Sequence, residues 1–281
     1  LTLGEVTFHD KNTDLLDLVS SEYGIPVEDM NTEAIRNARQ RETGFTIAEV
    51  RVRAHESKHA EAKALMKLNQ ALNALRLYYK GTSPFIEAEK PAATRDVDIF
   101  NLDTKSSGSA LQWIRHPLTG VVLSPTVMKD LRSKKFDQIE NIYNKTQAER
   151  TEIETNLLTA IYWHGESLKD ENNSAAFAKC IYALEALVVK GDTIKKQNLA
   201  ERIAFLLSKD RDNRKVYYDE MRNFYEVRNR IVHEGFEDVD DILVSGIQFM
   251  TRVSIWRILE ETGKWKTMDE MIEWIQDQKF S

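Results

Sequence analysis

No proline occurs after Pro125, and this constrains the chain more than any other feature. Proline removes a backbone donor and clashes with the preceding helical turn, so its absence leaves the C-terminal stretch free to form long helices. The apolar residues there recur at three-four spacing, the period of an α-helix with one buried face. Helices are expected over 126–145, 147–168, 174–189, 197–208, 214–232, 239–261 and 268–277. Ile153, Leu157, Ile161 and Leu168 share one face, as do Phe177, Ile181, Leu184 and Val188. A third stripe holds Leu243, Ile247, Met250 and Ile258, with Trp256 nearby. Such stripes belong to a helical bundle.

The first 124 residues read differently. Leu1, Leu3, Val6 and Phe8 alternate weakly, and Thr43–Arg53 alternates better through Phe45, Ile47, Val50 and Val52. Short helices fit 14–22 and 31–41, separated by Gly24 and Pro26. A longer helix fits 56–79, with Leu65, Leu68, Leu72, Leu75 and Tyr79 on one stripe. After a loop over 81–95, extended segments fit Val97–Leu102, Leu111–Ile114 and Val121–Leu123. The expectation is an α+β N-terminal domain over 1–124, a small sheet with helices packed on it, followed by an all-α domain over 125–281. The whole is predominantly helical.

The chain has 281 residues, enough for two ordinary domains. Its net charge of −6 argues against a broad basic coat for nucleic acid, though not against a small basic groove. Basic clusters at Lys129/Arg132/Lys134/Lys135, Lys190/Lys195/Lys196 and Arg211/Arg214/Lys215 read first as solvated helix ends. The single cysteine, Cys180, excludes an internal disulfide framework and suits a reducing, cytoplasmic compartment. Its apolar surroundings point to packing and not to reactivity. No run of 18 uncharged apolar residues stands out, so no membrane association is expected. No signal peptide is visible, and the chain begins with Leu1 instead of Met, which leaves an N-terminal extension open.

Several residues could carry chemistry. His55-Glu56-Ser57-Lys58-His59 matches the H-E-x-x-H pattern of zinc hydrolases, but its charged flanks and position at a strand-to-helix turn suit a polar helix start. His9 and His116 have no acid-base company in the sequence, and His164 reads as a satisfied core histidine. Glu185, within the apolar run IYALEALVV, needs a partner if buried; Arg202 and Arg228 are candidates. Arg228-Asn229-Arg230-Ile231-Val232-His233 then places a permanent cation and an imidazole at a helix end bounded by Gly235. Five residues amount to about 140° of rotation on an ideal helix. The two side chains can converge if the helix unwinds near His233, with Ile231 and Val232 packing inward. Arg230 could meet Glu226, one turn back.

Four blocks carry a family resemblance. Ala160–Leu168 (AIYWHGESL), Phe177–Val188 (FAKCIYALEALV), Leu199–Leu207 (LAERIAFLL) and Tyr225–Gly235 (YEVRNRIVHEG) resemble, in order and spacing, the Apea-like branch of the HEPN superfamily. That family's signature is R-x(4–6)-H. The match covers about 125–281, and Val50–Tyr79 is similar, less specifically, to the segment that precedes the domain in some members.

The resemblance implies a metal-independent endoribonuclease, toxin-like, acting in antiviral (phage) defence by abortive infection. Arg228 and His233 would be its catalytic pair, with Asn229 the polar residue that follows the arginine. It implies no cofactor and no metal. Its partners would be RNA, tRNA among the candidates, and a second copy of the chain, because the family forms its site across a homodimer. Glu185 and Arg230 are candidate supporting residues. A phage-derived or nucleotide trigger fits the same picture, with an N-terminal domain that senses it or restrains the nuclease. Two other readings stand beside it: a non-catalytic HEPN module that binds nucleotide or a partner, and a zinc hydrolase using His55 and His59.

Overall fold

The protein is described here from a computed structural model, which describes residues 2–9, 48–78, 95–102, 109–116, 125–133, 135–191, 195–235 and 238–279. The expected helices at 14–22 and 31–41, the strand at Val121–Leu123, Phe45, Ile47 and Tyr79 lie outside those residues. The described residues are mostly helical. The chain divides into two compact units that interleave along the sequence. One comprises Leu1–Ala71 and Ser83–Phe136, the other Leu72–Thr82 and Asp137–Ser281.

Among the described residues the first unit holds two sheets, where a single small sheet was expected. One is the antiparallel series β1 (Thr2–Leu3), β2 (Val6–Phe8) and β3 (Ala48–Val50). The N-terminal residues thus form a hairpin, not one strand. Gly4, at φ 60°, takes a left-handed conformation that other residues resist, and the chain reverses so that Leu3 pairs with Val6. The second sheet is the hairpin of β4 (Arg95–Leu102) and β5 (Ser109–His116). Helix α1 (Ser57–Arg76) runs from this unit into the second. Its N-terminal part ties back to the first sheet through Lys67, whose Nζ lies 3.1 Å from Glu5 Oε1.

The expected helix over 126–145 is two helices, α2 (Pro125–Ser133) and α3 (Phe136–Asn144). Lys135 between them has φ 61°, and its N–H bonds back to the Arg132 carbonyl at 3.1 Å, a tight turn that ends α2. The second unit then builds from α4 (Glu152–Leu168), α5 (Asn173–Val188), α6 (Lys195–Leu207), α7 (Arg211–Glu234), α8 (Asp241–Glu260) and α9 (Met268–Asp277). Their starts are fixed by side chains that accept the otherwise unpaired N–H groups of a first turn. Thr151 and Glu154 form a reciprocal capping box on α4, as Thr267 and Glu270 do on α9. Asn172, Asp210 and Asp240 cap α5, α7 and α8. The Thr151 cap explains why α4 begins at Glu152 and not at 147.

Helix α5 sits at the centre of this unit, packed on α4, α6, α7 and α8. Phe177, Ile181, Leu184 and Val188 are fully buried, as the stripe predicts. Ile153, Leu157 and Ile161 of α4 and Ile247, Met250 and Ile258 of α8 complete the core, while Leu168 and Leu243 are half-buried. Helix α8 is long and apolar enough to cross a membrane by length and composition alone. Half of that apolar window is buried in this bundle, and Arg252 and Arg257 interrupt it. The C-terminal end of α1 also belongs here. Asn73 is fully buried, donates from Nδ2 to the Tyr162 carbonyl (3.3 Å) and to Glu166 Oε1 (2.9 Å), and accepts from Arg76 Nη1 (2.6 Å).

Candidate functional site

Helix α7 carries the site. Its inner face buries Met221, Phe224 and Tyr225, with the Phe224 ring edge-on to Phe177 at 5.8 Å. Aromatic burial against α5 orients the helix, so the residues that follow are placed by the same packing.

Arg228 is half-buried. Its Nε is shut off from solvent with no hydrogen-bond partner, its Nη1 donates to Asn229 Oδ1 at 3.3 Å, and its guanidinium lies 5.5 Å from the Tyr225 ring centre. Tyr225, one turn earlier, donates its hydroxyl to Glu185 Oε1 of α5 at 3.2 Å. Burial, then the Glu185 carboxylate, raise the Tyr225 pKa, so the hydroxyl stays a donor. Glu185 therefore takes a tyrosine, a partner that neither its spacing nor its surroundings advertised. Arg202 donates from Nη1 to the Val188 carbonyl at 2.6 Å and so holds the C-terminal end of α5.

The helix does not unwind at His233. It continues to Glu234 and ends at Gly235, whose φ of 67° and N–H to the Arg230 carbonyl form a left-handed cap. Gly235 is thus the break that the sequence suggested, but one residue too late to bring Arg228 and His233 together. On a regular helix the two side chains diverge by about 140° and rise about 7.5 Å apart. His233 is exposed, and so is Val232 at 47%, while Ile231 is half-buried; the inward packing expected of Val232 does not occur. Arg230 Nε lies 3.9 Å from Glu234 Oε2, and Glu226 is taken by Lys196.

The other candidates are placed elsewhere. Helix α1 begins at Ser57, so His55 precedes it, and His59 is exposed with Nδ1 3.8 Å from Glu56 Oε2. A zinc helix needs both histidines on its face, and that geometry is lacking. Among the described residues no group of three or more His, Cys, Asp or Glu side chains is set to hold a metal. His9, read as isolated, lies 3.0 Å from Glu49 Oε2, because antiparallel pairing of Phe8 with Ala48 brings them together. His116 stands opposite Arg95 at the end of the β4–β5 hairpin.

His164 is buried, but neither ring nitrogen has a hydrogen-bond partner, so it is not the satisfied histidine expected. Burial, helped by Arg252, pushes its pKa down to about 3 and keeps the ring neutral. Cys180 is buried beside Ser167, 3.0 Å away, with its pKa pushed up to about 11, which suits packing. Within the basic clusters three residues have internal partners: Lys190 meets Asp269 (2.8 Å) and Glu152 (3.4 Å), Lys196 meets Glu226, and Arg214 stacks on Phe205 at 4.2 Å.

Comparison with family models, with curated proteins and with solved structures yields no match for this chain.

Proposed function

We propose that this protein is a metal-independent endoribonuclease of HEPN type, a toxin-like effector in phage defence, acting through Arg228 and His233 in a homodimer. The observation that carries the reading is the restrained Arg228, partly buried against a tyrosine, with an exposed imidazole on the following turn of the same helix. A guanidinium held before substrate arrives is suited to binding a phosphodiester and stabilising charge that builds on it. The exposed imidazole of His233 can accept the 2′-hydroxyl proton as that oxygen attacks phosphorus, or protonate the departing 5′-oxygen. A 2′,3′-cyclic phosphate is the product of such an attack. Asn229, bonded to Arg228, steadies the guanidinium.

The regular end of α7 supports a shared site. Within one chain the two side chains diverge, whereas two antiparallel copies of α7 would set the arginine of one beside the histidine of the other. The exposed apolar Val232 lies between them, ready to be covered by such a partner.

The test is incubation of purified protein with total RNA or tRNA in excess EDTA, beside Arg228→Ala and His233→Ala. Cleavage that survives the chelator and falls by at least about a hundredfold in both variants is expected. Full activity in either variant would sink the assignment. A protein that leaves RNA intact, with and without phage lysate as trigger, would instead be the non-catalytic binding module.

A further inference from the structure

We infer that Tyr225 is a positioning residue for Arg228: its ring, anchored by Glu185, holds the guanidinium so that the Nη nitrogens are the donors offered to a phosphate. The proposal deepens the ribonuclease reading, on which its RNA part rests.

Three observations converge. The guanidinium carbon stands 5.5 Å from the Tyr225 ring centre, within the range where a cation is attracted to an aromatic face. The Nε of Arg228 is buried without an acceptor, a costly arrangement unless something else holds the group there. The ring cannot swing away, because its hydroxyl donates to Glu185 at 3.2 Å across the α5–α7 contact and its body is buried. Donation to a carboxylate also makes the phenol ring more electron-rich, which strengthens its pull on the cation. With Nε sealed and Nη1 donating to Asn229, an incoming anion meets Nη2 and the second hydrogen of Nη1. Such an end-on grip presents two parallel donors to two oxygens of one phosphate. The spacing Tyr225–Arg228 is three residues, which puts both on one side of α7. Glu185 on another helix then sets the ring's tilt, so the direction of the arginine is fixed by the bundle and not by its own rotamer preferences.

The experiment compares Tyr225→Phe, Tyr225→Leu and Glu185→Gln with the unaltered protein in steady-state RNA cleavage, with thermal unfolding as the check on folding. Leu removes the ring and is expected to lower kcat about tenfold with KM within roughly twofold. Phe keeps the ring and loses the anchor, so it should recover part of that loss, whereas Glu185→Gln, whose amide oxygen still accepts from the Tyr225 hydroxyl, should stay close to the unaltered protein. A merely structural role would give Leu and Phe losses that track their unfolding temperatures. Folded Leu protein with unchanged kcat, or Phe no better than Leu, overturns the proposal. A second readout needs no catalysis: the NMR signal of the Arg228 Nε–H, expected to be ring-shifted upfield and slow to exchange. Both properties should vanish in Tyr225→Leu and persist in Tyr225→Phe. If the unaltered protein cleaves no RNA, the ribonuclease reading fails by itself. The Nε–H signal then decides the positioning claim, and an unshifted, fast-exchanging signal refutes it.

Discussion

His164 offers a stability measurement whose sign and size follow from its surroundings. The ring is buried on α4, faces no hydrogen-bond acceptor, and lies near the Arg252 cation of α8. Folded, it takes a proton only near pH 3, against an ordinary value of 6.5 in the unfolded chain. The unfolded state therefore binds the proton first, and stability is fully present above pH 6.5 and is lost as pH falls toward 3. By linkage the loss is about 1.4 kcal/mol at pH 5.5 and about 2.7 kcal/mol at pH 4.5, relative to neutral pH. The clean window is pH 7.5 to 5.5. Glu154, Glu166 and Asp170, whose pKa values are lowered by their lysine and hydrogen-bond partners, also lose stability in acid, but only near and below their ordinary values of 4.5 and 3.8. His164→Leu keeps similar volume and removes both unpaired nitrogens. It should leave stability at pH 7.5 unchanged or raised, since apolar replacement of an unsatisfied polar group is often neutral or favourable. Urea unfolding at pH 7.5 and 5.5 should then show the unaltered protein losing about 1.4 kcal/mol more than the variant. Equal losses in the two proteins would refute the argument that a buried neutral His164 couples folding to pH.

Two further outcomes are expected. Gly165→Ala would set a Cβ 2.3 Å from Asn73 Cγ, inside a fully buried contact that already holds three hydrogen bonds. Thermal unfolding should report a loss of about 1–3 kcal/mol. The Cys180 thiol, buried and with its pKa near 11, should resist a colourimetric thiol reagent at pH 8 in the native protein and react within minutes in denaturant.

The helices of the second unit were legible because their apolar stripes repeat over three or more turns. Residues 268–277 match α9 at both ends, since Thr267 and Glu270 write a capping box into the sequence. The break at Lys135 was not legible: a lysine with positive φ carries no local signal, and the apolar residues on either side sustain one helical period. Arg228, Asn229 and His233 stood out by residue type, and Gly235 by its position. Tyr225 did not, because a tyrosine on the buried stripe of an amphipathic helix looks like core until its hydroxyl is seen to reach α5. The Glu185 partner is hidden for the same reason: a carboxylate within an apolar run of sequence points to an arginine or lysine, whereas here a phenol supplies the bond. The isolated reading of His9 failed because strand pairing joined it to a residue forty positions away.

Asn73 has a consequence for how the protein is made. Its carboxamide fills the notch left by Gly165 and bonds to α4 across 89 and 93 positions of chain. A ribosome releases residue 73 long before the helix that receives it, so the end of α1 must wait, solvated, for its acceptor. Closing that span costs loop entropy before any contact rewards it, which places the Asn73–Gly165 docking late in folding. A fragment cut at the last proline would begin with its helices in order yet lack Asn73 and Arg76. Its α4 would carry an empty notch at Gly165, and Glu166 would lose the amide that it accepts from Asn73.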